Sequence, residues 1–143
     1  MARYTAVIDT PRPPQEAFEY LADLRNFERW DPGVSSSRQV EGDGPGPGAA
    51  YDVKANGVDL TYRTEEYDPG RMALVVARTR ALASKDRIVV EDRSEGSRVT
   101  YDAELTFRGP LGLFDPLLGV VFNRIAGKAA DGLTGALDGQ RVA

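Results

Sequence analysis

The residues best suited to chemistry in this 143-residue chain are carboxylates and tyrosines, because the sequence contains neither histidine nor cysteine. The absence of histidine removes the most common general base and metal ligand, and the absence of cysteine removes thiolate nucleophiles, disulfides and thiolate metal sites. Ser-His-Asp triads and histidine-bearing zinc sites are therefore excluded. Acid–base chemistry by Asp, Glu and Tyr remains open.

Three residues are candidates for such chemistry: Glu66, Tyr62 and Arg78. Glu66 has the same strand parity as Tyr62, and an inward carboxylate with a raised pKa is suited to exchange protons. Arg78 continues an alternation of apolar residues and would then pair with Glu66. The alternative is that a bulge near Tyr67 turns Glu66 outward and that Arg78 lies on a solvated edge, since a slip of one residue reverses every such assignment.

Aromatic side chains form a second set of candidates. Tyr51, Tyr62 and Tyr101 share the faces of their strands with apolar residues, so their hydroxyls need partners when buried and are suited to orient a polar group on a ligand. Phe27 and Trp30 are three residues apart, which places both rings on one helical face, where they would cap the mouth of a pocket. The alternatives are ordinary core tyrosines and aromatic rings that pin short helices onto a sheet.

The elements that would position these residues follow from hydrophobic periodicity. Residues 2–9 predict a strand, Pro13-Pro14 the start of a short helix, and Phe27 to Trp30 a second short helix. Residues 34–108 then predict about six strands whose connections are tight enough to require antiparallel pairing. The turn signals are Asn56-Gly57, Asp68-Pro69-Gly70 and Glu95-Gly96.

A long helix is predicted at the end of the chain. Asp115-Pro116 is typical of a helix start, and apolar residues recur at three- and four-residue steps from Leu117 to about Asp138. The helix is rich in glycine, which indicates either close backbone packing, space for a ligand, or a helix whose tertiary contacts tolerate weak propensity. The apolar residues 111–114 before it are either a docking segment for lipid or a partner chain, or a core connection.

Five segments resemble the START-like (SRPBCC) superfamily, in particular its bacterial polyketide-cyclase/dehydrase-type members. The matching segments, which span most of the chain, are Ile8-Asp9-Thr10-Pro11, the stretch 14–23, Phe27-Glu28-Arg29-Trp30-Asp31-Pro32, Tyr67-Asp68-Pro69-Gly70-Arg71, and Ser97-Arg98-Val99-Thr100-Tyr101 followed by Gly109. The resemblance implies an α+β helix-grip fold over residues 1–143 as one domain. In that fold a curved antiparallel sheet of about seven strands wraps around the C-terminal helix, and two short helices follow the first strand.

The resemblance also implies an elongated cavity between sheet and helix for an apolar ligand. Small residues at inward positions favour such a void over solid packing, although they would also allow a close approach of sheet and helix. They are Ala55, Thr64, Ala73, Ala77, Ala103, Ala126 and Ala129. The predicted ligand-binding residues are Phe27, Trp30, Tyr51, Val53, Leu60, Tyr62, Thr64, Val76, Tyr101, Ala103, Leu118, Phe122 and Ile125.

Composition limits the partners. The net charge of −4 and the scattered basic residues argue against nucleic acid binding, and no apolar stretch is long enough for an integral membrane segment. We expect a cytoplasmic monomer or homodimer without a cofactor or a metal. The leading hypothesis is a binding protein for a small hydrophobic molecule (a lipid, polyketide or isoprenoid-like compound), and the alternative is a polyketide cyclase/dehydratase-type enzyme using Tyr and Glu groups.

Overall fold

The chain folds as an antiparallel sheet with three α-helices in a computed structural model, which describes residues 2–109 and 115–143 and, for 115–117, the backbone only. Strand β1 (Ala2–Thr10) leads into α1 (Pro14–Ala22), a 3₁₀ turn (Leu24–Asn26) and α2 (Phe27–Trp30). Pro14 begins α1, as the sequence predicts, because proline supplies the required φ and lacks only an N–H that would have no helical partner. The apolar residues 111–114 lie outside the described residues.

The sheet contains eight strands among the described residues and is curved and antiparallel throughout, which confirms the predicted α+β helix-grip class. After β1 the strands are β2 (Val34–Glu41), β3 (Ala50–Ala55), β4 (Val58–Asp68), β5 (Met72–Arg78), β6 (Leu82–Arg93), β7 (Gly96–Phe107) and β8 (Gln140–Arg141). Their order is β2-β3-β4-β5-β6-β7-β1-β8. The strand beyond the expected seven is the two-residue β8, which follows the long helix and pairs with β1.

The Asn56-Gly57 turn joins β3 to β4, as predicted. Asn56 has a φ of 51° and Gly57 a φ of 81°, the left-handed conformation that a two-residue hairpin requires at both central positions. The turn fixes the register in which Tyr51 faces Tyr62 and Val53 faces Leu60. These four side chains therefore share the concave face of the sheet.

The long C-terminal helix, α3 (Asp115–Ala136), packs against β1, β7 and α2. At about 1.5 Å per residue its 22 residues span roughly 33 Å, enough to cross the sheet. Ala129 and Leu133 of the predicted apolar stripe are buried, together with Ala126 and Ala130, whereas Val121 of that stripe is exposed. Thr10 at the end of β1 donates a 2.6 Å hydrogen bond to the Leu137 carbonyl, which anchors the far end of the helix.

One glycine of α3 is required by close packing. A Cβ at Gly132 would lie 1.9 Å from the Trp30 carbonyl oxygen, so the backbones of α2 and α3 touch there. Gly119 and Gly135 have nothing within 4 Å of a Cβ, so they reflect tolerated weak propensity. Close backbone packing therefore explains Gly132, and tolerated weak propensity explains Gly119 and Gly135.

The structure corrects the predicted orientation of Val76. The residues of β5 that join the core are Ala73, Val75 and Ala77, and Val76 lies on the opposite, convex face between Arg63 and Lys85 in register. Residues 73–77 are all buried, so β5 lacks the polar–apolar alternation that would have revealed its parity. The aliphatic stems of its charged neighbours explain why Val76 is buried there.

Glu66 and Arg78 also lie on the convex face. The register of β4 shifts between Thr64 and Glu66, and this bulge leaves both Glu65 and Glu66 exposed. Arg78 is exposed and pairs with Glu65, while Glu66 lies 3.8 Å from Arg87. The inward Glu66–Arg78 pair is therefore not formed, and the bulge given as its alternative is present in β4.

Candidate functional site

A cavity of about 220 Å³ lies between the concave face of the sheet and α3. Its walls come from the end of β3 and from β4, β6 and β7 on the sheet side, from α3 on the other side, and from Phe27 and Asp31 at the two ends of α2. Most of the lining is apolar or aromatic, which is typical of small-molecule sites. The lining residues are Phe27, Asp31, Ala55, Asn56, Val58, Leu60, Tyr62, Leu82, Ser84, Asp86, Tyr101, Ala103, Leu105, Phe107, Phe122, Ile125, Ala126 and Ala129.

Two hydroxyl–polar pairs line this apolar space. The hydroxyls of Tyr62 and Ser84 are 2.8 Å apart and share one hydrogen bond. The Tyr101 hydroxyl donates to Oδ2 of Asp86 at 3.5 Å, at the long end of the hydrogen-bond range. The four residues share the concave face of the sheet. Tyr62 of β4 and Ser84 of β6 both pair with Ala77 of β5, and Asp86 and Tyr101 lie on the neighbouring strands β6 and β7.

Asp86 has the most perturbed carboxyl group of the site. It is 6 % exposed, takes part in none of the ion pairs among the described residues, and its Oδ1 accepts no hydrogen bond from them. Burial raises the pKa of Asp86 to about 7, and the nearby Asp31 adds to the increase, while the Tyr101 hydrogen bond lowers it. A carboxyl group in this state can give or take a proton near neutral pH.

Asp31 is the second carboxylate of the cavity. It ends α2, and its Oδ1 accepts a 2.9 Å hydrogen bond from the Gly33 amide, which stabilises the turn into β2. Burial raises the pKa of Asp31, and the Gly33 hydrogen bond opposes the rise. The Asp31 side chain therefore stabilises the turn through its hydrogen bond with a backbone amide, and its charge helps to raise the pKa of Asp86.

Burial also makes the hydroxyls of the two cavity tyrosines harder to ionise. The pKa of Tyr62 and that of Tyr101 are raised well above the usual range, first by burial and then by the charge of Asp86. Both hydroxyls therefore stay protonated at neutral pH. They act as hydrogen-bond donors and acceptors there, and they do not act as bases.

Seven of the predicted ligand-binding residues line the cavity. They are Phe27, Leu60, Tyr62, Tyr101, Ala103, Phe122 and Ile125. The small residues Ala55, Ala126 and Ala129 join them, as the small-residue pattern indicates.

The other six predicted residues lie elsewhere. They are Trp30, Tyr51, Val53, Thr64, Val76 and Leu118. Trp30 stacks on Phe27 with ring centroids 4.9 Å apart and meets the edge of Tyr101, so it supports the cavity wall from behind. The hydroxyls of Tyr51 and Thr64 are buried without a partner among the described residues, and neither residue lines the cavity.

Asp86 and Ser84 are the important residues that sequence reasoning missed. They share the strand parity of Ile88 and Val90, which are both buried, so extending that alternation backward would have found them. A charged residue at an inward position is the informative exception in such a pattern. Asp31 carried no such signal, because a residue in an Asp-Pro-Gly turn is expected to be structural.

Neither a metal site nor a membrane span is found in residues 2–109 and 115–143. No three metal-ligating side chains cluster there. No helix in that part of the chain combines the length and apolar character needed to cross a bilayer.

Comparison with known proteins matches this architecture to one family. The model of a family described as polyketide cyclase / dehydrase and lipid transport matches residues 1–138. No curated protein sequence matches the chain at a significant level.

Solved structures with the same fold cover nearly the whole chain. A protein from Thermus thermophilus is similar with a TM-score of 0.72 and 18% identity, covering 95% of each chain. A START superfamily protein from Mycobacterium smegmatis has a TM-score of 0.70 and 13% identity, covering 96% of this chain and 98% of that chain. The protein XoxI from Bacillus cereus has a TM-score of 0.67 and 19% identity over 96% of each chain. At these identities the likeness is one of fold.

Proposed function

We propose that this chain, which belongs to the polyketide cyclase/dehydrase and lipid transport family, binds one small, mostly apolar molecule between the sheet and α3. The observation that carries the proposal is the cavity of about 220 Å³, whose apolar walls enclose a few buried polar groups. Such a combination lets the walls supply binding energy and the polar groups fix orientation.

The size of the cavity limits the ligand. Drug-sized ligands commonly occupy roughly 300–1,000 Å³, so a space of about 220 Å³ suits a molecule of one or two rings or a short isoprenoid. A full-length lipid would need the walls to move. Among the ligand classes considered, the geometry therefore favours short isoprenoid-like or small polyketide-like molecules.

Enzymatic acid–base chemistry is the second candidate, and Asp86 is the observation that favours it. Glu66 and Arg78 cannot exchange protons with a ligand in the cavity, because both lie on the convex face of the sheet. Asp86, with a pKa of about 7 and a hydrogen bond from Tyr101, is the group that would exchange a proton with a substrate. The discriminating variant is Asp86→Asn, which would abolish any turnover of a cyclase or dehydratase substrate while the protein stays folded.

The remaining expectations on partners are predictions. They are a cytoplasmic location, a monomeric or homodimeric state, and the absence of nucleic acid binding, which the net charge of −4 supports. The family description, which includes lipid transport, supports a small hydrophobic partner.

Thermal unfolding with candidate ligands tests the proposal. A ligand that binds the folded state stabilises it by about 2.7 kcal/mol at a concentration 100 times its Kd, so 2-phenylethanol or geraniol should raise the Tm. The Ala126→Leu variant, which places a larger side chain in the cavity, should lose this shift. If no small apolar molecule of this size raises the Tm, or if Ala126→Leu responds like the original protein, the proposal is wrong.

A further inference from the structure

The charges that line the cavity are all of one sign. Its described lining contains two carboxylic acids, Asp31 and Asp86, and no lysine or arginine. Residues 110–117 carry no lysine or arginine in the sequence either. Asp86 is therefore a buried acid without a positive partner among the described residues.

The hydrogen-bonding groups of the cavity also favour a ligand that donates a hydrogen bond over one that accepts. Tyr101 donates its proton to Oδ2 of Asp86, and Tyr62 and Ser84 share one hydrogen bond. Oδ1 of Asp86 receives no hydrogen bond from the described residues, and Asp86 lines the cavity, so this oxygen can accept a hydrogen bond from a ligand there. The cavity therefore has an acceptor for a ligand group that donates.

Aromatic rings line the same cavity as this acceptor. Tyr101 contacts Asp86 directly, and the Phe27 ring lies edge-on to Tyr62 with centroids 6.1 Å apart. Phe107 and Phe122 complete the aromatic lining. Ring faces attract cations, and a desolvated pocket strengthens that attraction.

We propose that the cavity selects ligands in which an apolar body carries a protonated amine, with Asp86 as the anionic partner of that amine. This inference rests on the proposed binding function and specifies its ligand class. An ammonium group supplies both the positive charge and the hydrogen-bond donor that Asp86 lacks. A ligand carboxylate would meet two acids and find no cationic side chain, so acidic ligands such as fatty acids are disfavoured.

A matched series of three probes tests this selectivity. 2-Phenylethylamine, 2-phenylethanol and phenylacetate share one apolar body and differ in the charge of the end group. Titration calorimetry on the full chain should give the amine an affinity about tenfold or more above that of the alcohol, with the acid weakest. An acid that binds as tightly as the amine, or an amine no tighter than the alcohol, would overturn the inference while leaving the binding function intact; three probes that all fail to bind would overturn both.

The variant Asp86→Asn tests the assigned partner. It should reduce the ratio of amine to alcohol affinity to about one, because an unpaired ammonium is costly to remove from water. Asp102→Asn is the matched control, since Asp102 follows Tyr101 on the opposite face of β7 and pairs with Arg3. The control should keep the original ratio, and equal losses in both variants would contradict the assignment.

The pH dependence of amine binding gives a test that needs no variant. The titratable groups that act on Asp86 are Asp31, Tyr62 and Tyr101 in the cavity and Asp102 on the opposite face of β7. Both tyrosines stay protonated over the range used, and Asp102, whose pKa is lowered by its hydrogen bond from Arg3, stays ionised. Because amine binding requires ionised Asp86, whose pKa is about 7, affinity should rise about tenfold between pH 6 and pH 8, and binding at pH 7 should release protons. If the ligand instead bound protonated Asp86, its affinity would fall between pH 6 and pH 8 and binding at pH 7 would take up protons. That result would refute the proposal.

Discussion

The Tyr101 hydroxyl lies 3.5 Å from Oδ2 of Asp86, and this hydrogen bond joins neighbouring strands inside the cavity. Both side chains are buried, and Asp86 has no cationic partner among the ion pairs of the described residues. The protein therefore maintains a carboxyl group where its charge is costly. The apolar surroundings favour the neutral form, and the tyrosine compensates the ionised form only in part.

Asp86 should make the protein less stable as pH rises. Its pKa is about 7 in the folded state against about 3.9 in an unfolded chain, so the folded state binds the extra proton between these values. The free energy of unfolding should therefore fall as pH rises from about 4 to 8, by an amount on the order of 4 kcal/mol at most.

Urea denaturation of Asp86→Asn measures this contribution. The variant should be more stable than the original protein at pH 8 and should lack the loss of stability across that pH range. Asp102→Asn should instead lower stability, because Asp102 is ion-paired with Arg3. If Asp86→Asn shows the same pH profile as the original protein, Asp86 is ionised throughout and its role is wrongly assigned.

Tyr101→Phe should raise the pKa of Asp86 further. The Tyr101 hydroxyl stabilises the ionised carboxylate, and its removal leaves burial and the charges of Asp31 and Asp102, all of which raise the pKa of Asp86. Carboxyl ¹³C chemical shifts of Asp86 across a pH titration measure the change. Tyr62→Phe is the control, because Tyr62 pairs with Ser84, and it should move the Asp86 titration less. Equal titration curves for Tyr101→Phe and the original protein would show that the hydrogen bond is absent.

Two glycines of α3 should respond to alanine in opposite directions. Gly132→Ala places a Cβ 1.9 Å from the Trp30 carbonyl oxygen, so α2 and α3 must separate, at a cost of roughly 1–3 kcal/mol or more. Gly135→Ala meets no atom within 4 Å and should stabilise the helix by up to about 1 kcal/mol. Thermal unfolding of both variants compares them, and a harmless Gly132→Ala would show that the two helices do not touch there.

The parts of the fold that the sequence predicted are those in which local signals agree. The Asn56-Gly57 turn is confirmed, and the C-terminal part of the apolar stripe of α3, with Ala129 and Leu133, is buried as predicted. Strand β5 has no such signal, because residues 73–77 are buried on both faces. Its parity is set by pairing with β4, where Ala77 lies opposite Tyr62 and Val75 opposite Thr64, a tertiary feature that sequence alternation does not encode.

The candidate site was predicted less completely than the fold. Small and apolar wall residues such as Ala103 and Ile125 were found because patterning places them inward. Asp86 was missed because charged residues are expected outside, although its strand parity matches buried Ile88. Its pKa depends on Asp31, which is distant in sequence and comes close only in the folded chain.

Filling the cavity should remove binding at little cost in stability. Ala126→Leu adds volume where space exists, so we expect a change within about 1 kcal/mol, whereas Ala130→Leu adds the same volume at a fully buried position outside the cavity and should cost more. Denaturation gives the stabilities and calorimetry with 2-phenylethanol gives the binding. Glu66→Gln, on the convex face, should bind like the original protein. Retained binding in Ala126→Leu, or lost binding in Glu66→Gln, would place the ligand elsewhere.

Intermolecular NOEs between bound 2-phenylethanol and assigned side-chain methyl groups test the cavity most directly. We predict NOEs from the phenyl ring to Leu60, Ala103, Ile125 and Ala126, which line the space between sheet and helix. NOEs confined to convex-face methyl groups such as those of Leu74 and Val76, or no NOE at saturating ligand, would contradict binding between the sheet and α3.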